Sequence, residues 1–208
     1  MCARPVSVSD AQIFEATFRA IHGVGFPRLT LTAIAGEAGL SEAALIKRFG
    51  TKTDLLRAML DARTEALRAA LADVASRPHP MDALRALMLN PQRLAGRAPA
   101  GIANGTAFFA ACLGDPELAG AARARAQAVE DGVRALLRSA QERGELRSGP
   151  VDAPARAFLA VMYGAPVAWA GAAGGSLEGY VRDVFDHWAA PLRLPRAARG
   201  RASSRRGS

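Results

Sequence analysis

The sequence predicts an all-α protein, and three observations carry that prediction. Ala, Leu and Arg dominate the 208 residues, and all three are good helix formers. The β-branched runs that would build a sheet are nearly absent. Half of the residues are hydrophobic while only 6% are aromatic, so a sizeable core of aliphatic side chains can be buried. The expected organisation is an arm over residues 1–8, a three-helix domain over 9–56, a larger helical domain over 57–192, and a basic tail over 193–208. A long helix joins the two domains.

The first helix starts at Ser9. With Gln12 three positions on, Ser9 forms a capping box that satisfies free amides at the helix start. Ile13, Thr17, Ala20, Ile21 and Val24 recur at helical spacing. Gly23 and Gly25 stop the helix, and Pro27 keeps the following residues out of it. Thr30 caps a second, two-turn helix. Its apolar stripe is Leu31, Ile34, Ala35 and Ala38, and Gly39 ends it with a positive φ. Ser41 caps a third helix. Leu45 and Phe49 are four apart and share its inner face, so Glu42, Ala43, Ile46 and Lys47 point elsewhere. Gly50 ends it. Thr51 with Asp54 caps a fourth helix that runs to about Ser76.

Two short helices joined by a Gly-containing turn form a helix-turn-helix. Its second helix presents an N-terminal half suited to the major groove. A carboxylate beside apolar groups suits base edges and thymine methyls. Two readings of Ile46 stand: an apolar contact with DNA, or packing against the first helix.

These residues resemble the DNA-binding domain of TetR-family regulators. The resemblance rests on Ile13 to Gly25, Gly25-Phe26 before a Thr, Ile34-Ala35 with Ala38-Gly39-Leu40-Ser41, Leu45 through Phe49, and then Lys52 and Leu55. It covers about the first quarter of the chain. It implies that Thr30 and Thr32 meet phosphate at the start of the second helix. Ser41, Glu42, Ala43, Ala44, Ile46 and Lys47 then belong to the recognition helix, and Lys52 meets phosphate from the fourth. The family commonly has Tyr where Ile46 stands. Isoleucine cannot donate the hydrogen bond that Tyr gives the DNA backbone, and Lys47 and Arg48 are the residues expected to compensate.

Beyond the fourth helix, Arg77-Pro78-His79-Pro80 marks the seam between domains. Met81 to Asn90 reads as a helix broken by Pro91, Gly96 to Gly101 as loop, and Ile102 to Leu113 as a short helix. Asp115-Pro116-Glu117 is a helix start, and that helix runs to Arg143. Val151-Asp152 begins another, which Pro166 should kink or end. Leu177 to Leu192 makes the last. The breaks between Met81 and Arg143 predict a cavity for a small, largely apolar effector, with Leu87, Leu94, Phe108, Phe109, Cys112 and Met162 as lining; the other reading is that these residues fill a core. The resemblance implies that the last two helices pair with their copies in a homodimer, so that residues 57–192 are a helical ligand-binding and dimerisation domain following the helix-turn-helix DNA-binding domain of 9–56. Trp169, Val181, Val184, Phe185 and Trp188 are the interface candidates, with a core inside one protomer as the other reading of Trp188.

Charge gives less. The net charge is +8, but the tail from Arg193 holds six arginines. Without it 21 basic residues face 19 acidic ones, a net +2. The tail is either a solvated end or a source of non-specific attraction to phosphate. The two lysines of the chain, Lys47 and Lys52, both fall near the third helix. The cysteines Cys2 and Cys112 have no ligand spacing. No cofactor, metal site or catalytic constellation is expected. No signal sequence or span of about 18 apolar residues is present, so a cytoplasmic protein is expected. The function expected is transcriptional regulation: a repressor on a palindromic double-stranded operator, released by the effector, with activation as the other reading of the same DNA-binding chemistry. The alternative is a helical ligand-binding or adaptor protein with a degenerate helix-turn-helix.

Overall fold

The computed structural model describes residues 8–75, 78–90, 98–172 and 174–194. They form α1 (Asp10–Val24), α2 (Leu31–Ala38), α3 (Glu42–Phe49), α4 (Lys52–Ala75), α5 (Pro80–Met88), α6 (Pro99–Gly114), α7 (Ala119–Glu142), α8 (Asp152–Gly171) and α9 (Leu177–Ala189), with 3-10 turns at Phe26–Arg28 and Ala190–Leu192. The extended pairing among the described residues is one isolated bridge between Leu146 and Arg193. Two compact units result. One takes in the described residues of Met1–Arg63 and Gly96–Arg125, the other those of Thr64–Ala95 and Ala126–Ser208.

Local chemistry sets the helix starts of the first unit. The Ser9 amide donates to Gln12 Oε1 at 2.8 Å, and the Gln12 amide donates to Ser9 Oγ at 3.3 Å. Thr30 and Ser41 cap α2 and α3 by accepting from the amides of Ala33 and Ala44 at 3.1 and 3.2 Å. Each bond satisfies one of the amides a helix start leaves free. Gly39 ends α2 at φ 66°, in the left-handed region. Thr51 and Asp54 cap each other across the first turn of α4. The hydroxyl and amide of Thr51 hold the Asp54 carboxyl below the usual carboxylate range.

The core of this unit joins Ile13, Ala20 and Ile21 of α1, Ile34 and Ala35 of α2, Leu45 of α3, and Leu55, Leu56, Met59 and Leu60 of α4. Phe108 and Cys112 of α6 and Leu118 and Ala122 complete it. So α6 belongs with the three N-terminal helices, across the expected 9–56 boundary. Gly101, read as loop, lies inside α6 and is buried. The reason is His22, at the end of α1. Its Nδ1 lies 2.8 Å from the Gly101 carbonyl oxygen, and Asn104 Nδ2 donates to the His22 carbonyl at 2.9 Å. A Cβ on Gly105 would stand 2.5 Å from His22 Cε1. Gly105, inside α6, leaves room for that imidazole.

In the second unit, α8 runs through Pro166 to Gly171. The expected break does not occur there: Pro166 is buried, and its ring adds apolar contact where one backbone hydrogen bond is given up. Asp115 acts one step differently from the expected cap. Its Oδ1 accepts from the amides of Glu117 and Leu118 at 2.8 and 3.2 Å, a side-chain turn that delays α7 to Ala119. The last helix stops at Ala189 and continues as a 3-10 turn to Leu192. Pro91, Gly96 and Leu94 lie outside the described residues, as do all of the arm but Val8 and all of the tail but Arg193 and Leu194.

Candidate nucleic-acid interface

The two-helix element stands on Leu45. It is 1% exposed, while Ile46 beside it is 48% exposed. Phe49 turns inward with it and meets Phe14 at 5.8 Å between ring centres. The remaining face of α3, Glu42, Ala43, Ile46 and Lys47, is exposed. Ile46 therefore does not pack on α1. Lys47 has no ion-pair or hydrogen-bond partner among the described residues. Ala44 is half-buried beneath this face.

Three of the expected contacts are committed elsewhere. Arg48 reaches back to the start of α1, with Nε 2.6 Å from Asp10 Oδ1 and an η nitrogen donating to the Val8 carbonyl at 2.7 Å. It cannot replace a missing Tyr while it holds those partners. Lys52 Nζ donates to the Leu29 carbonyl at 3.0 Å and lies 5.6 Å from the centre of the Phe26 ring. Its charge fastens α4 to the turn that leads into α2. Thr32 Oγ1 donates to Glu42 Oε2 at 2.5 Å, so its proton is not offered to phosphate. Thr30 and Ser41 keep exposed hydroxyls, whose oxygens accept the cap bonds and whose protons remain available.

Arg28 was not among the sequence candidates. It is exposed, two residues before the cap of α2, and its Nε donates to the Val24 carbonyl at 3.0 Å. No carboxylate neutralises it among the described residues. The signal was available: an arginine beside the Pro27 turn just ahead of a capping Thr.

The described residues of the expected effector lining are divided between the two units. Phe108 and Cys112 are core residues of the first unit, Phe109 packs against that core, and Phe108 meets Phe26 at 5.4 Å. Burial pushes the Cys112 thiol up to about 11. Leu87 and Met162 lie in the second unit. The surface clefts among the described residues include two. One of about 290 Å³ is edged by Leu137, Gln141, Val151 and Leu192, and one of about 450 Å³ by Val8, Gln12, Arg19 and Glu37. Neither involves the expected lining.

The expected interface residues divide as well. Val181 and Phe185 are each 1% exposed, inside their own protomer. Trp188 is half-buried, packs on Phe158 at 5.0 Å and Phe185 at 5.6 Å, and donates from Nε1 to the Pro154 carbonyl at 3.2 Å. Trp169 donates to the Gly175 carbonyl at 3.2 Å. Val184 is half-buried, and the large apolar side chain that α8 leaves open is Val167, 44% exposed.

Residues 13–59, from α1 into α4, match the family described as "Bacterial regulatory proteins, tetR family". The HTH-type transcriptional regulator BetI of Burkholderia ambifaria is 31% identical over 179 residues, spanning 75% of this chain and 92% of that protein. The chain belongs to the TetR family. It is a DNA-binding transcriptional regulator, of a class that is not enzymatic. Solved structures agree on the fold. A TetR transcription regulator from Haloarcula marismortui superposes with a TM-score of 0.69 at 22% identity, over 89% of this chain and 98% of that one. A transcriptional regulator from Saccharomonospora viridis in complex with choline gives 0.68 at 16%, over 89% and 98%. Among the described residues of this TetR-family chain, no helix is long and apolar enough to cross a membrane.

Proposed function

We propose that this regulator is a repressor that binds a palindromic operator as a homodimer in the cytoplasm, has no catalytic activity, and leaves DNA when a small, largely apolar molecule binds its C-terminal helices. The observation that carries the DNA-facing part is the exposed face of α3, with Ile46 open to solvent and Lys47 unpartnered. One such face offers too few contacts for tight binding. Two copies related by a two-fold axis would double them and read half-sites about 34 Å apart. Arg28 and the hydroxyls of Thr30 and Ser41 supply the phosphate contacts in this reading, and α8 and α9 pair the protomers through their outward faces. The choline-bound neighbour supports effector control through the shared fold. Leu87 and Met162 remain the candidates for effector contact, in the second unit.

DNase footprinting on the DNA upstream of the protein's own gene tests this. Protection of two symmetric half-sites by the full chain, with transcription from that DNA falling as protein is added, is expected. A footprint with rising transcription overturns repression alone. No footprint at micromolar protein on any upstream fragment overturns the operator reading.

A further inference from the structure

The geometry points to Glu42 as a specificity-determining residue that reads the exocyclic amine of a cytosine in the major groove, with Thr32 as its positioning residue. This rests on the assignment of α3 as the recognition helix. Glu42 opens α3, the end that meets base edges in a helix-turn-helix. It is exposed, and one of its oxygens, Oε2, accepts the Thr32 hydroxyl proton at 2.5 Å. The other oxygen, Oε1, has no partner among the described residues.

An acidic side chain on a DNA-facing surface is repelled by phosphate. A carboxylate at a helix start also favours the helix dipole, which would account for the charge but not for a bond to a neighbouring helix. That bond fixes a flexible side chain in one rotamer, so the ordering cost is met before DNA arrives. A carboxylate can only accept hydrogen bonds. In the major groove cytosine offers N4–H₂ as a donor, whereas adenine sets its N7 acceptor beside N6–H₂, and guanine and thymine offer acceptors. Cytosine is the base whose edge suits a fixed, acceptor-only group. The neighbouring Ile46 offers an apolar surface to a thymine methyl by the same logic.

The test is selection of bound duplexes from a random library by the full-length protein, with Glu42→Gln and Thr32→Val beside the wild type. The wild type should enrich a motif with cytosine at one column of each half. Glu42→Gln should move that column towards adenine, because an amide pairs with both N6 and N7. Competition between the two bases at that column should change by about tenfold, the usual scale for one base contact. Thr32→Val should weaken the cytosine preference severalfold and leave the other columns as they were. A helix-stabilising role alone would shift the melting temperature and leave the motif unchanged. The same motif from wild type and Glu42→Gln, with both folded by circular dichroism, overturns the assignment. No enrichment by the wild type overturns the DNA-reading role of α3 itself.

Discussion

The two lysines separate binding from support, and replacing each in turn exposes the difference. Lys52→Met keeps the aliphatic stem and removes the ammonium. Two interactions go with it: the bond to the Leu29 carbonyl at 3.0 Å and the contact with the Phe26 ring at 5.6 Å. A charge-assisted hydrogen bond contributes about 1.5–3 kcal/mol when well shielded. Lys52 is only half-buried, so about 1 kcal/mol is the reasonable share. The ring contact adds about 0.5 kcal/mol. A loss of about 1.5 kcal/mol lowers the melting temperature of a chain this size by roughly 3–6 °C. Lys47→Ala removes a charge with no internal partner and should melt with the wild type. Thermal unfolding by circular dichroism at one fixed protein concentration reads both. Fluorescence anisotropy on a selected duplex, repeated at several salt concentrations, reads DNA. There Lys47→Ala should reduce the logarithmic salt slope by about 0.9 for each copy of Lys47 that meets a phosphate. If Lys52→Met melts with the wild type, the ammonium is not a fastening. If Lys47→Ala falls by several degrees, Lys47 is not free in solution.

Further outcomes rest on the half-buried His22, the buried Cys112 and Phe185, and the exposed Val167. Burial lowers the affinity of His22 for a proton, so the unfolded chain binds more protons than the folded one as pH falls through 6.5, and stability should decline with acid below that point. His22→Gln, whose amide can donate to the Gly101 carbonyl, should flatten that decline in melts taken between pH 7.5 and 5; an unchanged pH profile refutes the assignment to His22. Cys112, with its thiol pushed up to about 11, should resist iodoacetamide at pH 8 in the folded protein and react once denatured, as peptide mass mapping will show. Val167→Glu should give folded monomers by sedimentation if α8 pairs with its copy, whereas Phe185→Ala should cost about 3–5 kcal/mol within one protomer; a folded Val167→Glu dimer of wild-type strength removes this patch from the interface.

The parts of the fold written within four residues were legible. The caps at Ser9, Thr30, Ser41 and Thr51 each need one side chain and an amide three positions away, and the structure forms all four. The outward face of α3 was legible in part: the spacing of Leu45 and Phe49 turned Glu42, Ala43 and Lys47 away from the inner face, and the exposure of Ile46 decided between its two readings. What failed depended on partners far along the chain. Arg48 and Lys52 looked like free cations because Val8 and Leu29 stand 40 and 23 positions away. Gly101 was read as loop because the imidazole that meets its carbonyl is 79 residues earlier. Phe108 and Cys112 looked like cavity lining because an apolar residue in sequence does not say which core it joins. Phe185 looked like an interface anchor for the same reason.

The partnered cations also bear on how this protein finds its site. Salt-dependent affinity scales with the number of phosphates that cations neutralise. Around α3, Arg48 is held by Asp10 and Lys52 by Leu29 and Phe26, which leaves Lys47 on the helix and Arg28 ahead of α2 among the described residues. Four such cations in a two-fold pair imply a log–log salt slope of about −3.6, shallow for a DNA-binding protein. Discrimination must then come from contacts that are not ionic: Ile46, and the carboxylate held by Thr32. The six arginines from Arg193 onward could change this balance. A chain truncated after Leu194, which keeps the Arg193–Asp186 pair and removes the other five arginines, should keep its sequence preference, and its salt slope should stay near that of the full chain if the tail is only solvated. A slope that falls by several units on truncation would show the tail neutralising phosphates, with non-specific affinity supplied by the C-terminus and base reading by α3.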